Sequence, residues 1–324
     1  MKLSADDHKI SRDLNKRLIL LCDKKNIPYR IFGEHYNEPH RYYHNWSHIT
    51  DLLIKAHHRN ILSDDLMLAI AFHDIIYNPK LLTNEENSAD LLLEYYRNDD
   101  IINAILETKT HKPTTELSEQ LCELDLEILN SPLNIFAEYD KKIFKEYQFV
   151  DYSVYKQKRI EILSKLPIKP SNLEYVKAKE YSIGIYPGSF NPFHAGHRDI
   201  LNQAEQIFDK VIIAIGNNQN KNAERENLVS YLDFHQVDIF DGLFVNYLKK
   251  KEYDFTVVHG LRNSRDYEYQ IDNLNINCKL YKNLKTIYLQ SKPEFLDVSS
   301  SFIKYLRTKA ESEEDKNLLK SIQI

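Results

Sequence analysis

Two groups of residues have types and spacings that could do chemistry. The first lies in the run Tyr-Pro-Gly-Ser-Phe-Asn-Pro-Phe-His-Ala-Gly-His, which contains Gly188, His194 and His197. A glycine turn that leads into a helix can bring backbone N–H groups and the positive end of a helix dipole to a phosphate. Two histidines three residues apart would share one face of the first helical turn. We expect these imidazoles to contact a phosphate and to stabilise the charge that develops on it during a displacement.

The second group combines His48 with the doublet His73-Asp74 and with Asp125. The doublet is flanked by apolar residues at helical spacing, so it is predicted to lie on a buried helix, where an unpaired carboxylate is costly. A divalent cation would neutralise that charge, and four such ligands leave positions open for water and phosphate. The ligand types suit Mn²⁺, Fe, Co²⁺, Zn²⁺ or Mg²⁺, and the sequence leaves the choice among them open.

Helices are predicted to position the second group. Apolar residues recur at helical spacing from residue 8 to about 166, as in 48–58 and 64–77. The same spacing predicts further helices near 86–97, 99–110, 115–130, 135–148 and 152–165. Pro167 and Pro170 then bracket a polar stretch that runs to Glu180, in which helix is disfavoured. The sequence therefore predicts a helical domain over residues 1–168 and a linker over residues 169–180.

Strands that alternate with helices are predicted after the linker. Short β-branched runs at 181–186 and 210–215 flank a predicted helix over 196–208. Further strands are expected at 255–258 and 286–289, and further helices near 264–280 and 299–308. This order predicts a parallel sheet in an α/β, Rossmann-like domain over residues 181–324. The predicted fold class is an all-α domain followed by an α/β domain.

Composition agrees with two globular domains and excludes several classes of protein. Of the 324 residues, 42% are hydrophobic and 28% charged, which argues against disorder and low complexity. The apolar runs fall short of the ~20 residues that a membrane span needs, and no signal-peptide pattern opens the chain. Three widely separated cysteines fit a reducing compartment. We expect a cytoplasmic protein without membrane contact, and the net charge of −5 gives no reason to expect nucleic-acid binding.

The glycine-rich turn and two later segments resemble a known enzyme family. The run G-S-F-N-P-F-H-A-G-H resembles the (T/H)xGH signature of the nucleotidyltransferase superfamily. The segment H-G-L-R-N-S-R-D-Y-E-Y at 259–269 resembles the RGLR-x-x-x-DFEYE segment of phosphopantetheine adenylyltransferase, and V-S-S-S at 298–301 resembles its ISSS motif. Over residues 181–308, the resemblance implies transfer of AMP from ATP to 4′-phosphopantetheine with Mg²⁺, giving dephospho-coenzyme A and pyrophosphate. It also implies a homo-oligomer.

The same resemblance implies roles for individual residues. His197 would stabilise the transition state, while Ser189 and Lys221 would hold the attacking phosphate. Arg262 would meet the phosphates of ATP, and Asn277 would line the pantetheine side. His197, Lys221 and Arg262 are thus the expected catalytic residues of this half. The remaining members of the expected substrate-binding set are Gly188, Phe190, His194, His259, Gly260, Gln270, Ser299, Ser300 and Ser301.

Four departures from the family pattern leave the acceptor open. The LEER segment that the family has after the lysine loop is blurred into E-R-E-N at 224–227. His259 stands where the family has the first arginine of RGLR, Gln270 where it has a glutamate, and Asn191 where it has an aspartate. Replacing arginine by histidine exchanges a permanent forked cation for a group that is mostly neutral at pH 7, which weakens the hold on a dianion. Alternative acceptors are nicotinamide mononucleotide and polyol phosphates. A further alternative is that one half is a nucleotide-binding regulatory module.

The N-terminal half resembles the HD superfamily of metal-dependent phosphohydrolases. The resemblance rests on residues 38–45 with His48, and on 72–77, 84–89, 108–111 and 124–126, and the YHNxxH element is also similar to that of cyclic-nucleotide phosphodiesterases. It implies that His44 is a general acid toward the leaving oxygen, that His48 is the first metal ligand and that an activated water attacks. His111 is interpreted as a core or surface hydrogen-bonding residue. We expect a bifunctional enzyme whose N-terminal half hydrolyses a phosphate ester or a nucleotide.

Overall fold

The apolar spacing of the first half forms helices, as expected. The computed structural model describes residues 4–216, 232–309 and 312–322. The helices before residue 180 are α1 (Ala5–Lys25), α2 (Arg30–Tyr36), α3 (Trp46–His58), α4 (Asp64–Phe72), α5 (Asn84–Leu93), α6 (Asp99–Thr108), α7 (Glu116–Leu126), α8 (Leu133–Glu146), α9 (Tyr152–Leu163) and α10 (Pro170–Ala178). A 3₁₀ turn, Glu127–Asn130, follows α7.

Helix α4 is the centre of the N-terminal core. Every residue from Leu66 to Phe72 is fully buried, so this helix is apolar on all sides. The hydroxyl of Ser63 accepts from the backbone N–H of Leu66 and caps its N-terminus. The helix ends at Phe72, which corrects one expectation: His73 and Asp74 lie just beyond the end of the helix rather than inside it. Their side chains are therefore presented where the chain leaves the helix.

The predicted linker over 169–180 is wrong, because most of it forms helix α10. Proline is tolerated at the first position of a helix, where no N–H is needed, and Pro170 occupies that position. The Asn172 amide donates to the carbonyl oxygens of Leu129 and Ser131, both at 3.0 Å, and Val176 is buried beside them. The stretch is thus anchored by the buried side chain of Asn172, where the sequence predicted a linker in which helix is disfavoured.

The compact units also differ from the predicted domains. One unit comprises Met1–Glu146 with Arg159–Ala178, and the other comprises Tyr147–Lys158 with Lys179–Ile324. Residues 147–158 belong to the second unit because they bond to it. The Tyr152 hydroxyl donates to Glu180 at 2.8 Å, and the buried ammonium of Lys210 donates to the carbonyl oxygen of Val150 at 2.8 Å.

The second unit contains the expected parallel sheet. Its strands are β1 (Ile183–Gly188), β2 (Lys210–Gly216), β3 (Val237–Phe240), β4 (Thr256–Leu261) and β5 (Thr286–Gln290), and every pairing in the order β3-β2-β1-β4-β5 is parallel. Its helices are α11 (Ala195–Ile207), α12 (Phe244–Leu248), α13 (Ser264–Leu280), α14 (Ser300–Lys309) and α15 (Glu313–Ile322). Strand β3 and helices α12 and α15 were not predicted.

Close packing of α11 on the sheet depends on one glycine of β4. A Cβ atom at Gly260 would lie 2.8 Å from Cγ1 of Ile200, a buried residue of α11. Only glycine lets the helix approach the strand this closely.

Among the described residues, no helix combines the length and apolar character that a membrane span requires.

Candidate functional site

The first candidate site lies at the carboxyl ends of β1 and β4. These neighbouring strands sit where the strand order reverses, which is where open α/β sheets bind ligands. Strand β1 ends at Gly188 and leads to α11, while β4 ends at Leu261 and leads through Arg262 to α13. The two segments singled out from the sequence are therefore neighbours in the fold.

His194 and His197 form a stacked pair at the start of α11. His194 is the N-cap, and its Nδ1 accepts from the backbone N–H of His197 at 3.4 Å. The ring centroids are 3.6 Å apart with an interplanar angle of 23°. Because Nδ1 of His194 accepts, its proton must be on Nε2. The cap thus fixes one imidazole tautomer beside the free N–H groups of a helix start.

Both imidazoles are held in the neutral form. Burial, together with the positive charge of Arg262, lowers the pKa of His194 to about 4. Burial, His194 and Arg262 keep the pKa of His197 well below its usual value. A neutral imidazole donates a single hydrogen bond, so these rings can orient a phosphate without carrying a charge.

Arg262 is fixed by Asp266 on the first turn of α13. Its Nε and one terminal nitrogen donate to the two carboxylate oxygens at 2.8 and 3.1 Å, and its backbone N–H also donates to Asp266 at 3.1 Å. The other terminal nitrogen lies 3.4 Å from the carbonyl oxygen of Val298. This bidentate geometry presents the guanidinium in one orientation.

The serine triplet at the start of α14 reaches the loop after β1. The Ser300 hydroxyl donates to the carbonyl oxygen of Pro192 at 3.0 Å. The Ser299 hydroxyl accepts from the backbone N–H of Phe302 at 3.1 Å and caps the helix. Ser301 is exposed. The structure thus joins three sequence-distant segments, since Arg262 already contacts Val298.

The loop after β1 is partly a packing element. The Phe190 side chain is only 1% exposed and packs on Tyr186, Phe193 and His197, so the expected contact of its ring with substrate is not what the structure presents. A Cβ atom at Gly188 would lie 2.6 Å from that ring, so the glycine makes room for it. Ser189 is exposed. Lys221 lies outside the described residues.

His259 is a half-buried, neutral member of β4. Burial lowers its pKa to about 4, and its ring stacks on Tyr288 of β5 with centroids 5.9 Å apart. Gln270 and Asn277 are half-buried on α13, and their expected contacts with substrate remain predictions.

A second candidate site lies in the N-terminal unit. Ligand atoms of His48, His73 and Asp74 lie within 4.8 Å of one another. The Nε2 atom of His73 is 3.1 Å from Oδ2 of Asp74. Asp125 Oδ1 is 3.3 Å from Nε2 of His48 and 3.9 Å from Nε2 of His73. The structure therefore brings together all four of the predicted ligands.

His73 of this cluster is oriented as a metal ligand would be. Nδ1–H of His73 donates to the carbonyl oxygen of Ile70 at 2.9 Å, which leaves Nε2 facing the carboxylates. Neither Nε2, of His48 or of His73, forms a well-aligned hydrogen bond within the described part of the chain, although both are buried. Burial opposes a charge on His73, but the Asp74 carboxylate raises its pKa to about 9. The cluster thus attracts positive charge, and it fits a divalent cation.

His111 orients Asp125. Its Nε2 lies 3.0 Å from Oδ2 of Asp125, the oxygen next to the one that faces the two histidines. The backbone of His111 has a positive φ of 50°, in the left-handed region. The interpretation of His111 as a hydrogen-bonding residue agrees with this contact.

Glu146 is a residue of this site that the sequence did not reveal. It is fully buried at the end of α8, and its Oε2 lies 2.6 Å from Nδ1 of His44. It also accepts from the backbone N–H groups of Tyr43 and His44 and from the Tyr77 hydroxyl. Burial opposes a charge on His44, but Glu146 raises the pKa of His44, so the protonated ring is favoured. No motif marks Glu146, because its partners lie between 69 and 103 residues earlier in the chain.

Arg41 forms hydrogen bonds with two backbone segments of this site. Its side chain is fully buried, and its guanidinium donates to the carbonyl oxygens of His44, Asp74 and Ile75 at 3.0, 2.7 and 2.8 Å. Its Nε donates to Glu38 at 2.8 Å. Arg41 therefore fixes the segment before α3 relative to the segment after α4.

Comparisons with known proteins concern the second unit. A family model described as Cytidylyltransferase-like matches residues 185–305. The phosphopantetheine adenylyltransferase of Cytophaga hutchinsonii is 38% identical over 131 residues, which cover 38% of this chain and 87% of that protein. The enzyme of the same name from Thermotoga neapolitana is 40% identical over 131 residues, covering 38% and 81%. That of Buchnera aphidicola is 39% identical over 132 residues, covering 38% and 79%.

Proposed function

The chain belongs to the phosphopantetheine adenylyltransferase family through its C-terminal part, and from this premise we propose that this part transfers AMP from ATP to 4′-phosphopantetheine. One observation carries the proposal. The neutral pair His194 and His197, the fixed guanidinium of Arg262 and the helix start after Val298 meet at the carboxyl ends of β1 and β4. A site that moves a phosphoryl centre between two anions needs oriented donors and cations rather than an acid–base pair.

The proposed reaction follows from these groups. ATP enters as its magnesium complex, and an oxygen of the acceptor phosphate attacks the α-phosphorus. The bond from the α-phosphorus to the bridging oxygen breaks, and pyrophosphate leaves. His197 donates a hydrogen bond to an α-phosphate oxygen, where negative charge develops, and Arg262 holds the departing phosphates. The N-cap role of His194 fixes His197 in place.

The acceptor is tested by a screen of phosphorylated compounds. The full chain is incubated with ATP or CTP and with 4′-phosphopantetheine, nicotinamide mononucleotide, glycerol phosphate or ribitol phosphate, and pyrophosphate release is measured. We expect ATP with 4′-phosphopantetheine to give the highest kcat/KM. A higher value with another acceptor would redirect the proposal to that acceptor, and no turnover with any pair would favour a binding module.

A second function is favoured by the cluster in the N-terminal unit. We infer that this unit is a metal-dependent phosphohydrolase of the HD type, with His48, His73, Asp74 and Asp125 as the metal ligands. The converging Nε2 atoms and carboxylates support this inference. A bound divalent cation would supply charge neutralisation and Lewis acidity. The choice of metal is open among Mn²⁺, Fe, Co²⁺, Zn²⁺ and Mg²⁺.

The chain's own residues supply the proton in this second reaction. His44 donates a proton from Nε2 to the leaving oxygen, because Nδ1 is occupied by Glu146. Glu146 fixes the ring and stabilises its protonated form. The test is metal analysis of the purified chain, followed by hydrolysis of p-nitrophenyl phosphate with and without added metal. A chain that neither retains nor responds to metal would contradict the phosphohydrolase proposal.

A further inference from the structure

A cavity opens beside the metal-ligand cluster of the N-terminal unit. Its volume is about 910 Å³, and His48 forms part of its lining. One wall comes from α3, with Trp46 and Thr50, and the other from the start of α8, with Ile135 and Tyr139. A cavity of this size accommodates an organic group far larger than a phosphate. His48 is the cluster residue that this lining contains, so the cavity adjoins the cluster at His48.

The charges in the cavity lining disfavour a second phosphate. The lining contains the acidic residues Asp51, Glu127 and Glu138 and the basic residues Lys55 and Lys142. Lys55 is already paired, since its ammonium lies 2.8 Å from Asp51 and 3.7 Å from Glu127. Asp74 and Asp125 add two carboxylates at the cluster, where a bound cation would compensate them. Away from the cluster, the lining therefore offers little positive potential for a di- or triphosphate.

The aromatic residues of the lining disfavour a stacked base. The Trp46 ring already has Tyr29, Phe32 and Tyr36 as ring neighbours, with centroids 6.3, 5.5 and 5.6 Å away. The Tyr43 ring lies between His48 and Tyr139, with centroids 4.7 and 4.6 Å away. Rings engaged in this way do not form an open sandwich for a planar base.

The polar groups of the lining suit amides and hydroxyls instead. Ser131 and Asn134 supply uncharged polar groups to the lining. The Ser47 and Thr50 hydroxyls already donate to the Asn45 side chain and to the Trp46 carbonyl oxygen, so they offer acceptor lone pairs to a ligand. An extended chain that carries amide and hydroxyl groups can satisfy such scattered partners while its methyl and methylene groups contact the apolar walls.

We propose that this cavity binds the uncharged, amide-containing organic chain of a phosphate monoester, with the phosphate at the cluster. The proposal rests on the phosphohydrolase function inferred above and names its substrate class. The 4′-phosphopantetheine proposed as the acceptor of the C-terminal part belongs to this class. In the hydrolysis, the ester P–O bond breaks and a new P–O bond forms to the oxygen of water. The leaving alkoxide oxygen takes its proton from His44, and a proton released by the attacking water restores the protonated His44. The products are inorganic phosphate and the alcohol pantetheine.

The single tryptophan of the chain lines this cavity and also a smaller one between α1 and α3, so matched variants are needed to assign its response. Trp46 lines it, and the sequence contains no other tryptophan. Pantetheine, which lacks the phosphate, is titrated into the full chain while Trp46 fluorescence is excited at about 295 nm. We expect a saturable change with pantetheine and none with adenosine or ATP. A saturable change with adenosine, or no change with pantetheine, would overturn the proposal.

Matched variants locate the binding. Ile135→Lys places a charge on the apolar wall and is expected to weaken pantetheine binding by roughly tenfold or more. Leu133→Lys changes an exposed residue of the same helix that does not line the cavity, and binding should stay within roughly twofold of wild type. Circular dichroism checks that both variants fold, and Ile135→Asn is the milder substitute if Ile135→Lys does not. Equal effects at 133 and 135 would contradict the assignment of the wall.

Hydrolysis of p-nitrophenyl phosphate separates this inference from the function on which it rests. Metal-dependent hydrolysis without a Trp46 response to pantetheine would refute the substrate class alone. A Trp46 response without any metal-dependent hydrolysis would refute the phosphohydrolase function and leave a pantetheine-binding cavity. Both results together, with 4′-phosphopantetheine giving inorganic phosphate at a higher kcat/KM than AMP, are what we expect.

Discussion

The imidazole rings of His194 and His197 stack with their centroids 3.6 Å apart at the first turn of α11. Two protonated imidazoles could not share this geometry without strong repulsion, and burial with Arg262 lowers the pKa of both. The two rings are therefore neutral, oriented hydrogen-bonding groups whose protonation does not change over the physiological pH range. We expect the transferase step to depend little on histidine titration between about pH 6 and 8.

The first prediction concerns stability at acid pH. The pKa of His194 is about 4 in the folded chain and 6.5 in the absence of its surroundings. Between these two pH values the unfolded chain therefore binds more protons than the folded chain. The contribution of neutral His194 to the free energy of unfolding is fully present above about pH 6.5 and is lost as the pH falls toward 4. The loss from this group is on the order of 3 kcal/mol. His194→Asn keeps a capping side chain and removes the titration.

Hydrogen exchange of β1 and β2 peptides checks this at pH 7 and pH 5. Because wild type and His194→Asn are compared at the same pH, the intrinsic exchange rates cancel. The variant should gain protection relative to wild type at pH 5. If the difference in protection between His194→Asn and wild type is the same at pH 5 as at pH 7, His194 does not cause the loss of stability at acid pH.

The second prediction concerns the histidine that replaces a family arginine. His259 is neutral near pH 7 and stacks on Tyr288, so an arginine at this position can stack on the same ring and add a permanent charge. His259→Arg should lower the KM for an anionic substrate of the transferase by roughly threefold to tenfold. Steady-state kinetics with ATP and 4′-phosphopantetheine varied in turn identify which substrate responds.

The control for this change is His235→Arg, since His235 contacts Glu205 in the same unit. That variant should leave both KM values unchanged. An equal fall in KM with both variants would show a general effect of added positive charge rather than a local one.

The third prediction concerns the glycine beneath α11. Gly260→Ala would place a Cβ atom 2.8 Å from Ile200, so it should destabilise the C-terminal part by about 1–3 kcal/mol. In the Ile200→Ala background the same change should cost less, and a double-mutant cycle from urea denaturation measures the difference. Gly216→Ala is the matched control, because its nearest contact is 3.4 Å from Phe240. Additive effects of the changes at 260 and 200 would contradict the steric explanation.

The fourth prediction concerns Glu146. Glu146→Gln keeps the size of the side chain but removes the charge that favours protonated His44. Metal-dependent hydrolysis should lose roughly 10²-fold in kcat, with a smaller effect on KM, because His44 acts in the transition state. The exposed Glu94→Gln, in the same unit, should have no effect. A loss confined to KM would indicate that Glu146 shapes substrate binding instead.

The sequence was sufficient to predict the ligand cluster of the N-terminal unit, but not the residues that position it. His48, His73, Asp74 and Asp125 were predicted as one cluster because ligand types recur in a recognisable order, and the structure brings them together. Glu146 has no such signal, since its role depends on α8 returning to the start of α3. Contacts between residues so distant in sequence follow from the packing of whole helices, which no local pattern encodes.

Local patterns also failed where one residue type serves two purposes. The prolines and polar residues of 169–180 indicated a linker, yet Pro170 begins a helix and Asn172 is buried with its amide bonded. Phe190 was expected at the substrate because it lies in a binding motif, but its ring fills the space that Gly188 leaves. Motif membership identifies a segment, and only the packing decides which side chains of that segment face a ligand.

The most direct test of two independent active sites compares His197→Ala with Asp74→Ala in two parallel assays. Pyrophosphate release from ATP with 4′-phosphopantetheine reports the first site, and metal-dependent hydrolysis of p-nitrophenyl phosphate reports the second. We predict that His197→Ala abolishes pyrophosphate release and leaves hydrolysis intact, while Asp74→Ala does the reverse. If each variant retains both activities, or if either one loses both while remaining folded, the assignment of one chemistry to each site is contradicted.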